Sequence, residues 1–370
     1  MKIKCPKSSL LNGVSIVSKA VPNKTTMSIL ECILVTAENG QIKLTANDME
    51  LGIETMIDGE IIESGVIALD AKIFYEIIRK LPDNDVTISC DENYKTSIVC
   101  EKSNFTIIGK SGEDFSFLPS IEKNDYIMIS QFSLKEVIRQ TIFSIDETDA
   151  NKMMGGELFE INQDTLRVVS LDGHRISIRN IFLKNSYPAN KVIVPGKTLS
   201  EISKILSGDT DKDVMIYFTK NHILFEFDDT VVVSRLIEGE YFNINQMITT
   251  DYETKVTINK REFYDCIDRA TLLVKEGDKK PIIMNVTDGS MELKINSFIG
   301  SMNEDIDIEK EGKDILIGFN PKFFIDALRV IDEEEVSLYM VNPKAPCFIK
   351  DDEGKFIYLI LPVNFNTATN

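Results

Sequence analysis

Residues 70–90 read DAKIFYEIIRKLPDNDVTISC, and two later stretches repeat their pattern: PGKTLSEISKILSGDTDKDVMIYF at 195–218 and NPKFFIDALRVIDEEEVSLYM at 320–340. Phe74, Leu199 and Phe324 hold equivalent places, 125 residues apart. Apolar residues in each stretch recur at steps of three and four, which places them on one face of a helix. An acidic turn and an alternating strand follow each helix. The pattern predicts one helix–turn–strand unit in three copies.

A second helical pattern also occurs three times. Its copies are KSSLLNGVSIVSKA from Lys7, SLKEVIRQTIFSI from Ser133 and NKREFYDCIDRATLLV from Asn259. Much of the remaining sequence alternates as strands do, with turn signals at Asn39-Gly40, Asp58-Gly59 and Asp288-Gly289. We therefore predict an α+β fold of three tandem domains, 1–125, 126–250 and 251–370. Each domain is expected to hold two helices and about eight antiparallel strands.

Charge and composition limit the class of protein. The 370 residues include 41 Lys and Arg against 59 Asp and Glu, a formal net charge of −18. Such a chain is repelled by phosphate and by anionic membranes unless its positive charge is concentrated somewhere. The N-terminus lacks the apolar stretch of a signal peptide, and no run of about 18 apolar residues occurs. We expect a cytoplasmic globular protein with reduced cysteines.

Catalytic and metal-binding motifs are missing. His174 and His222 are the only histidines, too few for a multi-histidine metal site, and the six cysteines form no C-x-x-C pair. The Gly-Lys-Ser and Gly-Lys-Thr tripeptides at 109–111 and 196–198 lack the earlier glycine of a phosphate-binding loop. These absences do not exclude an enzyme but give no support for one, and we expect no catalytic residue, no metal and no cofactor.

Each repeated helix carries two cations seven residues apart, on the face opposite the apolar stripe. The pairs are Lys72 and Arg79, Lys197 and Lys204, and Lys322 and Arg329. Their registration suggests a less acidic wall that tolerates phosphate without reading bases. The alternative is a solvated surface, because Glu76, Glu201 and Asp326 have the spacing of intrahelical ion pairs. The sequence leaves both interpretations open.

Two further segments attract attention. Leu171-Asp172-Gly173-His174-Arg175 is a polar turn after a strand, and Ile357–Val363 is an apolar run that contains a proline near the C-terminus. The turn could be purely structural or could supply His174 to a hydrolase with Ser170 or Ser177 as nucleophile. The C-terminal run is typical of an edge strand, or of the wall of a groove for a partner's peptide.

With these segments in their order, the chain resembles the bacterial β sliding clamp family, the processivity subunits of replicative DNA polymerase. The residues that carry the resemblance are LRVVSLDGHRISI, KVIVPGKTLSEISKIL, SRLIEGEYFNI, RATLLVKEG, IGFNPKFFIDAL and YLILPV. The resemblance covers essentially the whole chain. It implies a non-catalytic, head-to-tail homodimer of six similar domains, closed as a ring around double-stranded DNA without sequence preference. The residues that would face DNA are Lys24, Lys72, Arg79, Lys197, Lys204, Lys322 and Arg329.

The resemblance also implies a docking pocket between the second and third domains. It would take short linear peptides from the replicative polymerase, the clamp loader, other polymerases and repair proteins. The matching positions are Met154, Leu171, Gly173, His174, Arg175, Ile176, Phe242, Met247, Asn320, Phe323, Pro346, Leu359, Ile360, Leu361, Pro362 and Val363. The family commonly has threonine at the position of Leu171 and proline at that of Phe242, so peptide preference is expected to differ.

Ring closure in the family pairs an edge strand of the first domain with the third domain of the other subunit. Phe105 and Ile107 would then face Leu272 and Leu273. Two other functions compete with this interpretation: the His174 hydrolase, and a peptide-binding scaffold that never meets DNA. The scaffold is suggested by the net charge.

Overall fold

Six helices follow the sequence pattern within the residues that the computed structural model describes, 1–146, 148, 151–274 and 280–365. They are α1 (Lys7–Val17), α2 (Ala71–Lys80), α3 (Gln131–Thr141), α4 (Gly196–Ile205), α5 (Lys260–Thr271) and α6 (Pro321–Val330). The starts of α2, α4 and α6 keep the predicted interval of 125 residues. Asp70 and Asn320 cap α2 and α6, accepting from the backbone N–H of Ile73 and Lys322.

Antiparallel strands make up most of the remaining regular structure. The first third contains β1 (Lys2–Pro6), β2 (Cys32–Glu38), β3 (Gln41–Asn47), β4 (Leu51–Ile57), β5 (Glu60–Glu63), β6 (Gly65–Asp70), β7 (Asp85–Cys90), β8 (Lys95–Cys100) and β9 (Ser103–Ile108). The middle third contains β10 (Tyr126–Ser130), β11 (Gly156–Leu171), β12 (Arg175–Pro195), β13 (Asp213–Phe218), β14 (His222–Phe227) and β15 (Thr230–Arg235). The last third contains β16 (Thr254–Asn259), β17 (Ile282–Thr287), β18 (Ser290–Asn296), β19 (Ser301–Asp307), β20 (Glu309–Gly312), β21 (Ile315–Phe319), β22 (Glu335–Met340), β23 (Cys347–Lys350) and β24 (Phe356–Ile360).

The middle third has fewer and longer strands than the predicted eight. β11 and β12 run for 16 and 21 residues. Their register shifts on both sides of Gln163, whose φ is 55°. The sequence at this point offers no Asn-Gly or Asp-Gly pair, so the bend gives no strong turn signal.

The first compact unit comprises Met1–Lys135 and Lys197–Leu236. It holds a five-stranded sheet in the order β5-β1-β7-β8-β9 and an eight-stranded sheet in the order β10-β13-β14-β15-β4-β3-β2-β6. The second sheet combines strands of the first and middle thirds. Its continuity comes from β15, which pairs with β4.

The second compact unit comprises Glu136–Gly196 and Ile237–Asn370. It holds a seven-stranded sheet in the order β11-β12-β24-β23-β22-β16-β20 and a four-stranded sheet in the order β19-β18-β17-β21. Here β12 of the middle third pairs with β24 of the last third. The middle third thus contributes to both units, and the boundaries near residues 125 and 250 remain a prediction.

The three turn signals have two different outcomes. Asn39 and Gly40 both have positive φ, 52° and 77°, and close the hairpin between β2 and β3. Asp288-Gly289 likewise joins β17 to β18. Asp58-Gly59 instead carries the chain from one sheet to another. A Cβ at Gly59 would lie 2.8 Å from the carbonyl oxygen of Lys4, so only glycine fits there.

No helix among the described residues is long and apolar enough to cross a membrane. Within the same residues, no group of three or more His, Cys, Asp or Glu side chains is placed to hold a metal ion.

Candidate functional site

The turn between β11 and β12 is held by a single carboxylate. Asp172 accepts hydrogen bonds from the backbone N–H groups of His174 and Arg175, both at 3.0 Å, and from Nε of Arg175 at 2.9 Å. Gly173 has a φ of 79°, a conformation that side chains disfavour. The turn is therefore fixed by its own sequence, and it leaves His174 exposed.

Arg175 is buried behind this turn with its guanidinium fully engaged. Besides Asp172, it donates to Asp326 at 2.6 Å through Nη1 and to the carbonyl oxygen of Phe143 at 2.5 Å through Nη2. The guanidinium also lies 5.4 Å from the ring of Phe143 and 4.7 Å from that of Phe323. These partners offset the cost of burying the charge. Arg175 thereby ties α6 to the turn.

An apolar cavity of about 370 Å³ opens beside the turn. Its lining is Met154, Leu171, Gly173, His174, Arg175, Ile176, Phe242, Met247, Pro346, Leu359 and Leu361. The terminal strand β24 reaches the cavity because the backbone N–H of Leu361 donates to the carbonyl oxygen of His174 at 2.9 Å. Phe242 is steadied by Tyr241, whose ring lies edge-on at 5.6 Å. Flexible methionines and an almost entirely carbon surface suit apolar side chains of several shapes.

The remaining predicted pocket residues lie outside this lining. Asn320 caps α6. Phe323 stacks under the ring of His174, with 6.1 Å between centroids. Ile360 faces the core and is 1% exposed. Pro362 and Val363 follow β24, and the backbone N–H of Val363 donates to the carbonyl oxygen of Gly318 at 2.8 Å.

In two of the three repeated helices the second cation is paired with the acid of its own helix. Arg79 contacts Glu76 at 2.7 Å, and Lys204 contacts Glu201 at 2.8 Å. The hydrogen bond from Arg79 lowers the pKa of Glu76 below its usual value. Both pairs are exposed, so each contributes little to stability.

The third helix departs from this arrangement because its acid is taken elsewhere. Asp326 bonds to Arg175, and Arg329 instead lies 3.4 Å from the hydroxyl of Tyr264. Among the first cations of the helices, Lys197 pairs with Asp48. Lys72 and Lys322 are exposed and have no ion pair within the described ranges, and the same holds for Lys24.

The predicted interface residues lie at exposed edges of the two units. Phe105 and Ile107 are on β9, the last strand of the five-stranded sheet, and Phe105 is 41% exposed. Leu272 and Leu273 follow α5, and Leu272 is 78% exposed. A Cβ placed on Gly300 would lie 3.8 Å from the side chain of Leu273, so the turn between β18 and β19 adjoins this leucine pair.

Three residues near these edges escaped sequence reasoning. Ile108 on β9 and Phe298 in the β18–β19 turn are strongly exposed, and Met302 on β19 packs beside Leu273 against the core of the second unit. For Phe298 the sequence did contain a signal: Phe298-Ile299 places two apolar residues at a hairpin tip, where polar residues are usual.

The serines of the hydrolase hypothesis are not placed for catalysis. Ser170 is buried and donates to the carbonyl oxygen of Thr141 at 2.6 Å. Ser177 is also buried, 2.6 Å from the hydroxyl of Ser144. Strand alternation puts both on the sheet face opposite Leu171 and Ile176, which line the cavity. His174 therefore has no adjacent nucleophile among these serines.

Glu157 is a buried acid that sequence reasoning missed. It lies on β11, and within the part of the chain that the structure describes neither carboxyl oxygen has a hydrogen-bond partner. Burial raises its pKa to about 8. At neutral pH the side chain is therefore largely protonated, which is how an unpaired carboxyl group can be tolerated in a core.

Known proteins resemble this chain over nearly its whole length. Family descriptions of the DNA polymerase III beta subunit match its N-terminal domain at residues 1–119, its central domain at 128–243 and its C-terminal domain at 245–364. A beta sliding clamp of Staphylococcus epidermidis is 33% identical over 374 aligned residues, covering 98% of this chain and 99% of that protein. One from Staphylococcus aureus is 35% identical, with 93% and 94% coverage.

Solved structures agree. The DNA polymerase sliding clamp of Bacillus subtilis superposes with a TM-score of 0.95 at 31% identity, over 99% of this chain and 100% of that one. A chain from Eubacterium rectale, assigned as a DNA polymerase III beta subunit, gives a TM-score of 0.96 at 74% identity, with 99% and 100% coverage. These matches define a DNA polymerase sliding clamp. The chain belongs to the DNA polymerase III beta subunit family, the beta sliding clamps, and is a processivity subunit rather than an enzyme.

Proposed function

We propose that two copies of this chain close head to tail into a six-domain ring around duplex DNA. The ring would tether the replicative polymerase and dock peptides of other polymerases, the clamp loader and repair proteins. The observation that carries the proposal is the strand pairing between successive repeats within the chain. Each join continues a β-sheet, and among the described residues the equivalent outer edges of β9 and β19 have no strand partner.

The two internal joins follow one rule. In the first unit, β15 pairs antiparallel with β4, and Val231 lies opposite Glu54. In the second unit, β24 pairs antiparallel with β12, and Ile357 lies opposite Ile178. In each join the last strand of one repeat thus meets the equivalent of β4 in the repeat before it. β9 and β19 are the corresponding strands with one free edge each. Pairing β9 of one copy with β19 of another repeats the join, covers both edges and closes the ring.

Hydrogen-bond ladders give the register of β19. Glu54 is reached from Ala68 through Leu34 and Thr45, one strand pair at a time. Asn303 is reached from Gly318 by the same three steps, through Ile283 and Lys294. Ala68 and Gly318 are repeat equivalents, 250 residues apart. Asn303 is therefore the counterpart of Glu54.

A second marker gives the register of β9. The backbone N–H groups of Lys110, Ile237 and Val363 donate to the carbonyl oxygens of Ala68, Ile193 and Gly318, which lie 125 residues apart. Val231 and Ile357 each precede their donor by six residues, as Asn104 precedes Lys110. Asn104 is therefore expected opposite Asn303.

This register brings apolar side chains together. Phe105 would lie opposite Met302, and Ile107 opposite Gly300, beside Leu273 and Leu272. The β9–β19 register thus supports the four residues predicted for the interface and adds Met302. The contact would combine a backbone ladder with an apolar layer, as the internal joins do: Val231 and Val233 belong to an apolar cluster at the first, and Ile178, Ile357 and Leu359 to one at the second.

DNA would be retained by enclosure rather than by tight binding. The exposed cations Lys24, Lys72 and Lys322 are available for phosphate, whereas Arg79, Lys197, Lys204 and Arg329 would have to exchange a protein partner for it. Weak, exchangeable contacts allow a ring to slide. We also infer that the chain works in the cytoplasm, where bacterial DNA is replicated.

The apolar cavity is proposed as the docking site. Its lining has few hydrogen-bonding groups, so affinity would come from buried leucine- or phenylalanine-like side chains. Where the family commonly has threonine, Leu171 leaves the cavity wall without a side-chain hydroxyl. Where the family commonly has proline, the ring of Phe242 narrows the cavity. The expected preference is for bulky apolar residues over polar ones.

Cysteine cross-linking tests ring closure and its register. In a Cys90→Ser background, Asn104→Cys with Asn303→Cys should form a disulfide-linked dimer on oxidation, because directly opposed side chains come within reach. Asn104→Cys with Asp305→Cys keeps the same face but shifts the register by two residues, and it should link poorly. Equal yields, or no dimer from the first pair, would contradict the proposed closure.

A further inference from the structure

A polar cleft of about 740 Å³ lies on the second unit, and its lining includes none of the residues proposed to face DNA and none that line the docking cavity. Its principal side chains are Glu160, Arg167, Asn180, Asn190, Lys191 and Asn245. They come from both long strands, β11 and β12, and from the segment that follows β15. Amide groups dominate the lining, so the cleft offers donors and acceptors to a polar ligand.

The cleft and the apolar cavity lie over the same face of the β11–β12 strand pair. Three cross-strand pairs follow one another on one face of β11 and β12: Leu171–Ile176, Val169–Ile178 and Arg167–Asn180. The first pair lines the cavity, the second belongs to the packed core beside it, and the third lines the cleft. At about 3.3 Å per residue, Arg167 lies roughly 13 Å along the strand from Leu171. An extended peptide covers that distance in about four residues.

One segment contacts both sites. Phe242 and Met247 line the apolar cavity, while Asn245 between them lines the cleft and accepts a hydrogen bond from Nη1 of Arg167 at 2.8 Å. The two sites are thus neighbours separated by one short stretch of backbone. A peptide leaving the cavity over this stretch would reach the cleft.

The cleft carries surplus positive charge in a strongly acidic chain. Arg167 and Lys191 share one carboxylate, Glu160, at 3.5 Å and 3.0 Å. The Arg167 side chain is 20% exposed and is held by Asn245, so it is preorganised for a second anion. Against a net charge of −18, this concentration marks a place where an acidic partner is not repelled. Phe182, 78% exposed, lies opposite Thr165 at the rim.

We propose that this cleft is a second anchor for docking partners: it binds an acidic segment about four to six residues from the apolar residues that fill the cavity. The inference rests on the proposed docking function and adds a charge preference to it. Arg167 and Lys191 would pair with the partner's carboxylates, while the asparagines would bond its backbone.

Peptide titration tests the cleft. Three fluorescent peptides share one Leu- and Phe-containing core and differ in having three glutamates on the N-terminal flank, three on the C-terminal flank, or glutamines on both. With wild-type protein in about 50 mM salt, one acidic peptide should bind roughly tenfold tighter than the glutamine peptide. The difference should shrink as salt rises.

Two variants locate the effect. Lys191→Gln, at an exposed position, should reduce the acidic preference, and Arg167→Gln/Lys191→Gln should abolish it, where the preference of each variant is the ratio of its affinities for the acidic and the glutamine peptide. The control Lys184→Gln/Lys220→Gln removes the same charge outside the lining and should keep the preference.

Binding without any acidic preference, or a preference that survives in the cleft variants, overturns the cleft proposal alone. Failure of all three peptides overturns peptide docking as well. Stronger competition by single-stranded DNA than by free acidic peptide would assign the cleft to nucleic acid instead.

Discussion

At the scale of single residues, the fold places two charged groups where they must be compensated or neutralised. Arg175 is compensated, by Asp172, Asp326 and two aromatic rings. Glu157 has no such partners and is held neutral by its environment. The sequence hinted at Glu157, since GELFEI sets a carboxylate inside an apolar run. Whether such a residue points outward or into a core depends on tertiary packing, which the alternation alone does not reveal.

Glu157 makes stability depend on pH in a defined direction. Its pKa is about 8 in the folded chain against an ordinary value of 4.5. Between these values the folded state holds a proton that the unfolded state has released, so this residue's contribution to stability falls as pH rises through that window. Glu157→Gln should remove this residue's contribution to the pH dependence of stability. Near pH 8 the variant should have a free energy of unfolding about 1–3 kcal/mol larger than that of wild type.

Urea unfolding at pH 5, 6.5 and 8 measures the difference. Asp164→Asn, an exposed carboxylate on the same strand, is the control and should follow wild type. A gap between Glu157→Gln and wild type that is constant with pH would mean that Glu157 does not titrate in this range.

At the scale of elements, the helices were largely predictable and the strand partners were not. A stripe at steps of three and four identifies α2, α4 and α6, because helical contacts are local. Strand pairing is not local, and many antiparallel partners satisfy the same alternation. The same reason explains why the helical spacing of Asp326 does not identify its ion-pair partner, Arg175, which is 151 residues away in sequence. Most predicted pocket residues were named through the family resemblance, and the structure brings them to one cavity.

The wall of that cavity should not tolerate charge. Leu361→Asp places a carboxylate among carbon atoms and should weaken binding of a docking peptide roughly tenfold or more. Leu361 is 37% exposed, so the chain should still fold. Leu316→Asp, with 39% exposure on β21, is the matched control and should bind normally. Equal binding by both variants in a fluorescence titration would remove the cavity from the account.

The helix cations allow a test in both directions. Lys72→Gln with Lys322→Gln should lower retention on circular DNA several-fold at about 50 mM salt, since each removes an available phosphate contact. Glu76→Gln with Glu201→Gln frees Arg79 and Lys204 and should raise it. Lys220→Gln with Lys313→Gln, away from the helices, is the control for net charge. If both helix variants match wild type, the cations are only solvated surface.

At the scale of the whole molecule, an acidic protein holds an acidic polymer. Enclosure resolves this conflict, because a closed ring needs no strong attraction to stay on DNA. The threefold repeat could be predicted from the sequence. The strand pairing that joins one repeat to the next is visible only in the structure. Two joins are made inside the chain, and we propose that the edges of β9 and β19 make the third with a second copy.

Topological retention is the most direct test of this account. Asn104→Cys/Asn303→Cys rings are loaded under reducing conditions onto nicked circular DNA, oxidised in place and washed in high salt. Protein that remains on the circle should be released when a restriction enzyme linearises the DNA, and it should stay when the DNA is left circular. Equal retention on circular and linear DNA, or equal loss from both, would contradict a clamp that holds DNA by encircling it.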